Sequence, residues 1–256
     1  MKSIKLRFFI FAVLIAALAA CQSSSQSYSQ SATDTPQAQS TSAPVATGAC
    51  ANPYVPVVES ATWTYSGSTD VAGDFTRTVT ITDVGTDAFL VEWVSDPLSG
   101  VTTWTCTPDG LIEDQSNGGV FSAVLTGPDA TVNVQNLSNT GFTIAADPQP
   151  GDSWTQVSEI SAVSSEGFGF DGTLTIDFTA VGLETVSVPA GSFNALRVDV
   201  HAEATYQALG SSLVSTLTWD GSDWFAAGVG RVKSVGAMSE PSAFTYELNL
   251  DSYSIP

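Results

Sequence analysis

From about residue 50 onwards the dominant pattern is an alternation of apolar and polar positions, the period of a strand with one packed face. In GTLTIDFTAVG, Leu174, Ile176, Phe178 and Ala180 point one way and Thr173, Thr175, Asp177 and Thr179 the other. AFTYELNLD repeats the pattern with Phe244, Tyr246, Leu248 and Leu250 against Thr245, Glu247, Asn249 and Asp251. SLVSTLTW sets Leu213, Leu217 and Trp219 on one side, and DFTRTVTIT does so with Phe75, Val79 and Ile81. Valine and threonine are abundant in these runs, and both favour a pleated surface. Turn signals punctuate them at Pro108-Asp109-Gly110, Asp171-Gly172, Pro189-Ala190-Gly191 and Asp220-Gly221. No stretch carries a helical period over three turns. The pattern predicts an all-β fold, ten to twelve antiparallel strands in one barrel or strongly curved sheet. Residues 127–154, with three prolines and Gly151 near their end, break the alternation and read as an irregular excursion.

The first residues follow another rule. MKSIKLR is basic, and the apolar run FFIFAVLIAALAA behind it is shorter than the ~20 residues of a membrane span, the layout of an export signal. The run ends in Leu18-Ala19-Ala20-Cys21, which resembles the bacterial lipobox. That resemblance implies cleavage before Cys21 and acylation of its thiol, so residues 1–20 are a signal and Cys21 is the membrane anchor. Gln22 in place of aspartate resembles the class not retained at the inner membrane of two-membrane bacteria. The expected location is the outer membrane or the outer face of a cell membrane. Residues 21–48, rich in Ser, Gln, Thr, Ala and Pro, lack the apolar side chains that would offset ordering entropy and read as a disordered tether. As a flexible coil its ends lie roughly 30 Å apart. Residues 49–256 then form one β domain.

Charge narrows the partners. The full chain has a formal charge of −19; without residues 1–20 only Arg77, Arg197, Arg231 and Lys233 face 26 acids, giving −22. Such a surface repels phosphate backbones and anionic headgroups, so nucleic acid is excluded and attachment must come from the lipid on Cys21. With Cys21 acylated, Cys50 and Cys106 remain, an even pair in an exported chain, and a disulfide between them is expected.

The single histidine lies in a run of alternating character. Leu196, Val198, Val200, Ala202 and Ala204 are apolar, while Arg197, Asp199, His201, Glu203 and Thr205 are polar. Asp199, His201 and Glu203 share a side at about 6.5–7 Å per step, but side chains on a twisted strand diverge. The reading is a solvated face with Arg197 paired to Asp199 or Glu203, not a metal site. No G-x-S-x-G elbow accompanies the histidine, so a nucleophilic triad has no support and no catalytic residue is assigned. No cofactor is expected. Calcium is the metal the acids would suit, at Asp220-Gly221-Ser222-Asp223 or Asp70…Asp74, although neither spacing fits an EF-hand.

Four segments carry a wider resemblance: CANPYVPVVESATWTYSG (50–67), WTCTPDGL (104–111), ETVSVPAGSFNALRV (184–198) and WFAAGVGRVKS (224–234). Together and in this order they resemble the TapB-like domain-of-unknown-function family of secreted bacterial proteins and lipoproteins. The resemblance implies an envelope-facing β fold and brings no catalytic residues. Physically, Pro189 and Gly191 make a turn with Phe193 beneath it, Gly228 and Gly230 permit a bulge or close approach, and Trp63, Trp104 and Trp224 fill core volume. The expected role is a non-catalytic module binding an apolar, lipid-like or glycan ligand in a barrel mouth; the alternative is a structural or adhesive module acting through its acidic face, with or without calcium.

Overall fold

The computed structural model describes residues 48–114, 132–164, 169–210, 212–240 and 243–256. After a short 3-10 turn (Gly48–Cys50) come thirteen strands: β1 (Thr62–Thr69), β2 (Gly73–Thr82), β3 (Ala88–Ser95), β4 (Leu98–Thr107), β5 (Gly110–Glu113), β6 (Val132–Gly141), β7 (Ile144–Ala145), β8 (Ser153–Ser164), β9 (Gly169–Val188), β10 (Gly191–Ala208), β11 (Val214–Ala226), β12 (Gly230–Glu240) and β13 (Phe244–Ser254). They form a single sheet in the order β6-β8-β9-β10-β11-β12-β13-β1-β2-β3-β4-β5-β7, with every neighbouring pair antiparallel. No α-helix occurs among the described residues.

The all-β expectation holds, with one strand more than the expected range. The additional strands come from the segment read as irregular, where β6 and β7 form. Apolar periodicity missed β6 because only Val132, Val134 and Leu137 of VNVQNLSNTG are apolar, and Leu137 lies exposed at a register shift. The strand pairs with β8, with Val134 packed in the core and Asn139 hydrogen-bonded to Gln156 and Ser158.

β6 and β7 end the ladder order yet are separated in the chain only by Phe142 and Thr143. The two edges of the sheet therefore meet at this corner. Polar groups stitch it: Thr143 N–H donates to the Leu111 carbonyl at 2.8 Å, and Thr143 Oγ1 accepts from Glu113 N–H at 2.7 Å and donates to Gln156 Oε1 at 2.7 Å. The fully buried Gln156 donates in turn to the Glu113 carbonyl at 3.0 Å and to Asn139 at 3.3 Å. A seam made of side chains satisfies edge groups that no neighbouring strand covers.

Alternation places the faces as expected: Leu174, Phe178, Ala180, Leu196, Val198, Ala202, Ala204, Leu248 and Leu250 are all buried. Leu213 departs from it, lying exposed ahead of β11. The Asp171-Gly172 and Asp220-Gly221 pairs are not turns but lie inside β9 and β11. A Cβ at Gly172 would fall 2.7 Å from the Thr205 carbonyl oxygen, and one at Gly221 2.6 Å from that of Val235. Glycine is there for close strand approach, not for reversal.

One end of the curved sheet is plugged. Segment 48–61 packs Val57 and Ala61 into a core with Trp63, Tyr65, Ile81, Phe89, Leu111 and Leu250. The Cys50–Cys106 disulfide pins it to β4, Trp63 Nε1 donates to the Val229 carbonyl at 2.6 Å, and Gly228 N–H donates to that of Pro53 at 2.8 Å. The β9–β10 turn, with Gly191 at φ 138°, folds over the same end, where Ala190 N–H donates to the Leu250 carbonyl at 2.9 Å. The turns after β1, β3, β10 and β12 fall at the opposite end, because successive strands alternate in direction.

Candidate functional site

The outer face of β9–β13 and β1 bears a shallow groove of about 770 Å³ lined by Asp177, Asp199, His201, Asp220, Ser222 and Glu247, among others. The run Asp199, His201, Glu203 does face outward, as the alternation predicts, but its members do not converge. Asp199 accepts from Arg197 Nε at 2.8 Å and from Ser222 Oγ at 2.7 Å, whereas His201 Nδ1 lies 2.7 Å from Asp220 Oδ1 on the next strand. That hydrogen bond raises the His201 pKa above 6.5, with Asp177 and Glu203 adding smaller pushes. Lys233 Nζ sits 3.0 Å from Glu247 and holds that carboxyl below its ordinary range, with Asn249 assisting.

The two acidic clusters are dispersed by the same period-two geometry. Asp220 faces outward to His201, but Asp223, three positions on, faces the interior. Asp70 Oδ1 is taken by the Thr245 N–H at 2.9 Å. No group of three His, Cys, Asp or Glu side chains among the described residues could hold a metal ion. Cys50 and Cys106 form the expected disulfide; Cys21 lies outside the described residues. Trp63 is core and Trp104 half-buried, whereas Trp224 lies on the outer face with Arg197 and Lys233 over its ring at 5.8 and 5.7 Å and its indole N–H bonded to Glu184.

The inner face holds the group that apolar patterning passed over. Arg77 occupies the inward position of β2 between Phe75 and Val79, directly opposite Tyr65. Its guanidinium lies over the rings of Trp93 and Phe75, 5.2 and 5.9 Å from their centroids. Arg231 Nη1 stands 3.7 Å from Asp223 Oδ1, its carbonyl accepts from Tyr65 Oη at 2.9 Å, and Tyr246 Oη pairs with Ser234 Oγ at 2.5 Å. Two of the four Lys and Arg side chains beyond residue 20 thus point inward in a strongly acidic protein.

Electrostatics follow from that enclosure. Burial, then the like charge of Arg231, lower the Arg77 pKa. Burial also works against the Arg231 charge, but Asp223, followed by Tyr65, Tyr246 and Glu113, holds its pKa above the ordinary value. Burial pushes both Tyr65 and Tyr246 up to about 12, so both remain neutral phenols. Arg231 keeps 36% of its side-chain surface in contact with solvent.

Glycines make room for the inward-facing rings. A Cβ at Gly67 would fall 2.4 Å from the Phe75 ring, one at Gly100 2.7 Å from Trp93, and one at Gly236 2.5 Å from both Trp219 and Tyr246. The rings therefore lie flat against the wall over glycines instead of projecting inward. Phe75, Trp93 and Tyr246 stay half-exposed, close to the unplugged end.

The fold has relatives among solved structures. One from Parabacteroides distasonis, described as a "putative lipoprotein", superposes with a TM-score of 0.55 at 15% identity, covering 80% of this chain and 99% of its own. A Bacteroides fragilis "putative exported protein with YmcC-like fold" gives 0.47 at 15% identity, covering 79% and 99%. The "hypothetical lipoprotein YmcC" from Escherichia coli gives 0.34 at 13%, covering 75% and 84%. The first shows a shared fold. No protein-family model matches the chain, and no curated protein matches it significantly.

Proposed function

We propose that this chain is an exported envelope lipoprotein, acylated on Cys21 and held off the membrane by residues 22–48, whose barrel binds a lipid-like ligand without catalysis. The observation that carries the reading is the inner wall, where Phe75, Trp93 and Tyr246 lie flat and half-exposed towards the unplugged end with the Arg77 guanidinium over two of those rings. An anchor at Cys21 also places that mouth within tether reach of membrane lipid. Lipobox, tether and the fold shared with a protein described as a lipoprotein all support export.

Native mass spectrometry of the mature full chain from its host envelope tests the ligand. A reproducible adduct of lipid mass supports the reading, and a clean mass removes it. Metabolic labelling with an alkynyl fatty acid tests the anchor: label should be lost in Cys21→Ser.

The outer groove favours a second reading, a structural or adhesive module engaging a partner through Asp177, Asp199, Asp220 and Glu247. A calcium-dependent rise in melting temperature, lost in an Asp199→Asn/Asp220→Asn double variant, would support it; no change with calcium would leave the groove without a metal role.

A further inference from the structure

Few buried polar groups in native proteins lack a partner, and each exception calls for an explanation. Arg77 Nε, Trp93 Nε1 and Asp223 Oδ1 are three such exceptions among the inward side chains, each buried without a hydrogen bond. The Arg77 guanidinium lies over the Trp93 ring, 5.2 Å from its centroid. Asp223 is the only carboxylate of a described residue within 4 Å of either buried guanidinium, and at 3.7 Å from Arg231 it is beyond hydrogen-bond length. Glu113 acts on both arginines from farther away.

A buried arginine is costly unless paired. The chain has few cations to place, and its acidic surface offers many carboxylates that would have paired them outside. Evolution of a purely structural interior would favour an apolar side chain at position 77, between Phe75 and Val79. The arrangement instead suits a planar or tetrahedral oxyanion, which a guanidinium fork grips with parallel N–H bonds.

We infer that Arg77 and Arg231 form a head-group site, receiving the anionic head of an amphiphile, carboxylate or phosphate, whose hydrocarbon chain lies along Phe75, Trp93 and Tyr246 towards the unplugged end. This rests on the lipid-binding reading above and gives it a ligand class. Arg77 and Arg231 offer their guanidinium N–H groups to the head, Arg231 keeps Asp223 at 3.7 Å, and the flat aromatic rings give the chain an apolar wall. A neutral lipid would leave both guanidinium charges without the anion that offsets their burial. The site therefore discriminates by charge as well as by shape.

The test incubates the mature full chain, delipidated and in nonionic micelles, with four probes: palmitate, hexadecyl phosphate, methyl palmitate and inorganic phosphate. Native mass spectrometry strips the micelle and reads the adduct. The expected result is retention of palmitate or hexadecyl phosphate at least tenfold above methyl palmitate, their ratio identifying the preferred head. In Arg77→Gln and Arg231→Gln the preference should fall below about threefold. Equal retention of methyl palmitate by the unaltered chain would leave lipid binding standing and overturn the head-group site. Binding of inorganic phosphate as strongly as hexadecyl phosphate would keep the arginine site but remove the lipid. Retention of no probe would overturn both. Arg77→Lys keeps the charge without the fork and should be intermediate; if the glutamine variants fail to fold, the four-probe ranking on the unaltered chain decides alone.

Discussion

Removing the Cys50–Cys106 bridge should destabilise the barrel by an amount fixed mainly by the loop it closes. The cysteines lie 56 residues apart, and the chain-entropy relation for a loop of that size gives about 4 kcal/mol. Both sulfur-bearing residues are buried, at 3% and 5% exposure, beside Val57, Phe89 and Leu111. A Cys50→Ala/Cys106→Ala variant therefore keeps the apolar surroundings and loses chiefly the cross-link. Urea unfolding of both proteins, followed by tryptophan fluorescence, reads the difference, since Trp63 and Trp104 flank the bridged core. The midpoint should drop, and the slope should rise because the unbridged unfolded chain exposes more surface. A loss under about 1 kcal/mol with unchanged slope would refute the reasoning. It would mean that segment 48–61 detaches early, so the bridge does not constrain the state that unfolds globally.

Gln156→Leu should cost about 1–3 kcal/mol for each buried partner left unsatisfied, because Gln156 alone joins the Glu113 carbonyl, Thr143 and Asn139 across the seam; thermal melting measures it, and a neutral result would mean the seam does not hold the edges together. Gly141→Ala places a Cβ 1.9 Å from the Thr155 carbonyl oxygen at φ 76° and should lose more than about 1 kcal/mol, with hydrogen exchange rising first in β6. The His201 ring should titrate above 6.5 by NMR and shift down in Asp220→Asn. Since its folded pKa is raised, its contribution to stability is full below about 6.5 and is lost as pH climbs through the folded value; with half of the side chain exposed the effect should be small and should shrink in salt.

How much of this was legible beforehand depends on what the side chains do. Where a strand buries an apolar face, two-residue periodicity located it and oriented it, as at Leu196–Ala204 and Phe244–Leu250. It failed at β6, where Val134 is buried but Asn136 and Asn139 carry hydrogen bonds in place of apolar contacts, so the hydrophobic signature is too thin to mark a strand. Glycine was ambiguous for a physical reason. The residue that permits a reversal also permits close strand approach, and Asp171-Gly172 and Asp220-Gly221 carry no local mark of which applies.

The interior site was hidden by the rule that found the strand. Counting Phe75, Val79 and Ile81 as one face puts Arg77 on that face by arithmetic, and a charged residue at an inward position is the informative exception. The partners could not be read, because Arg231 and Asp223 reach Arg77 only through the pairing of β11, β12, β13, β1 and β2. Their inward orientation also depends on a register shift between Trp224 and Phe225 that changes which β12 residues face the barrel. The outer histidine drew attention as the chain's single imidazole, yet rarity of type is weaker evidence than misplacement of charge. His201 sits where alternation puts a polar residue and is satisfied there by Asp220. Arg77 sits where alternation puts an apolar one, with an N–H left unbonded, and it is on that exception, not on the histidine, that the proposed head-group site rests.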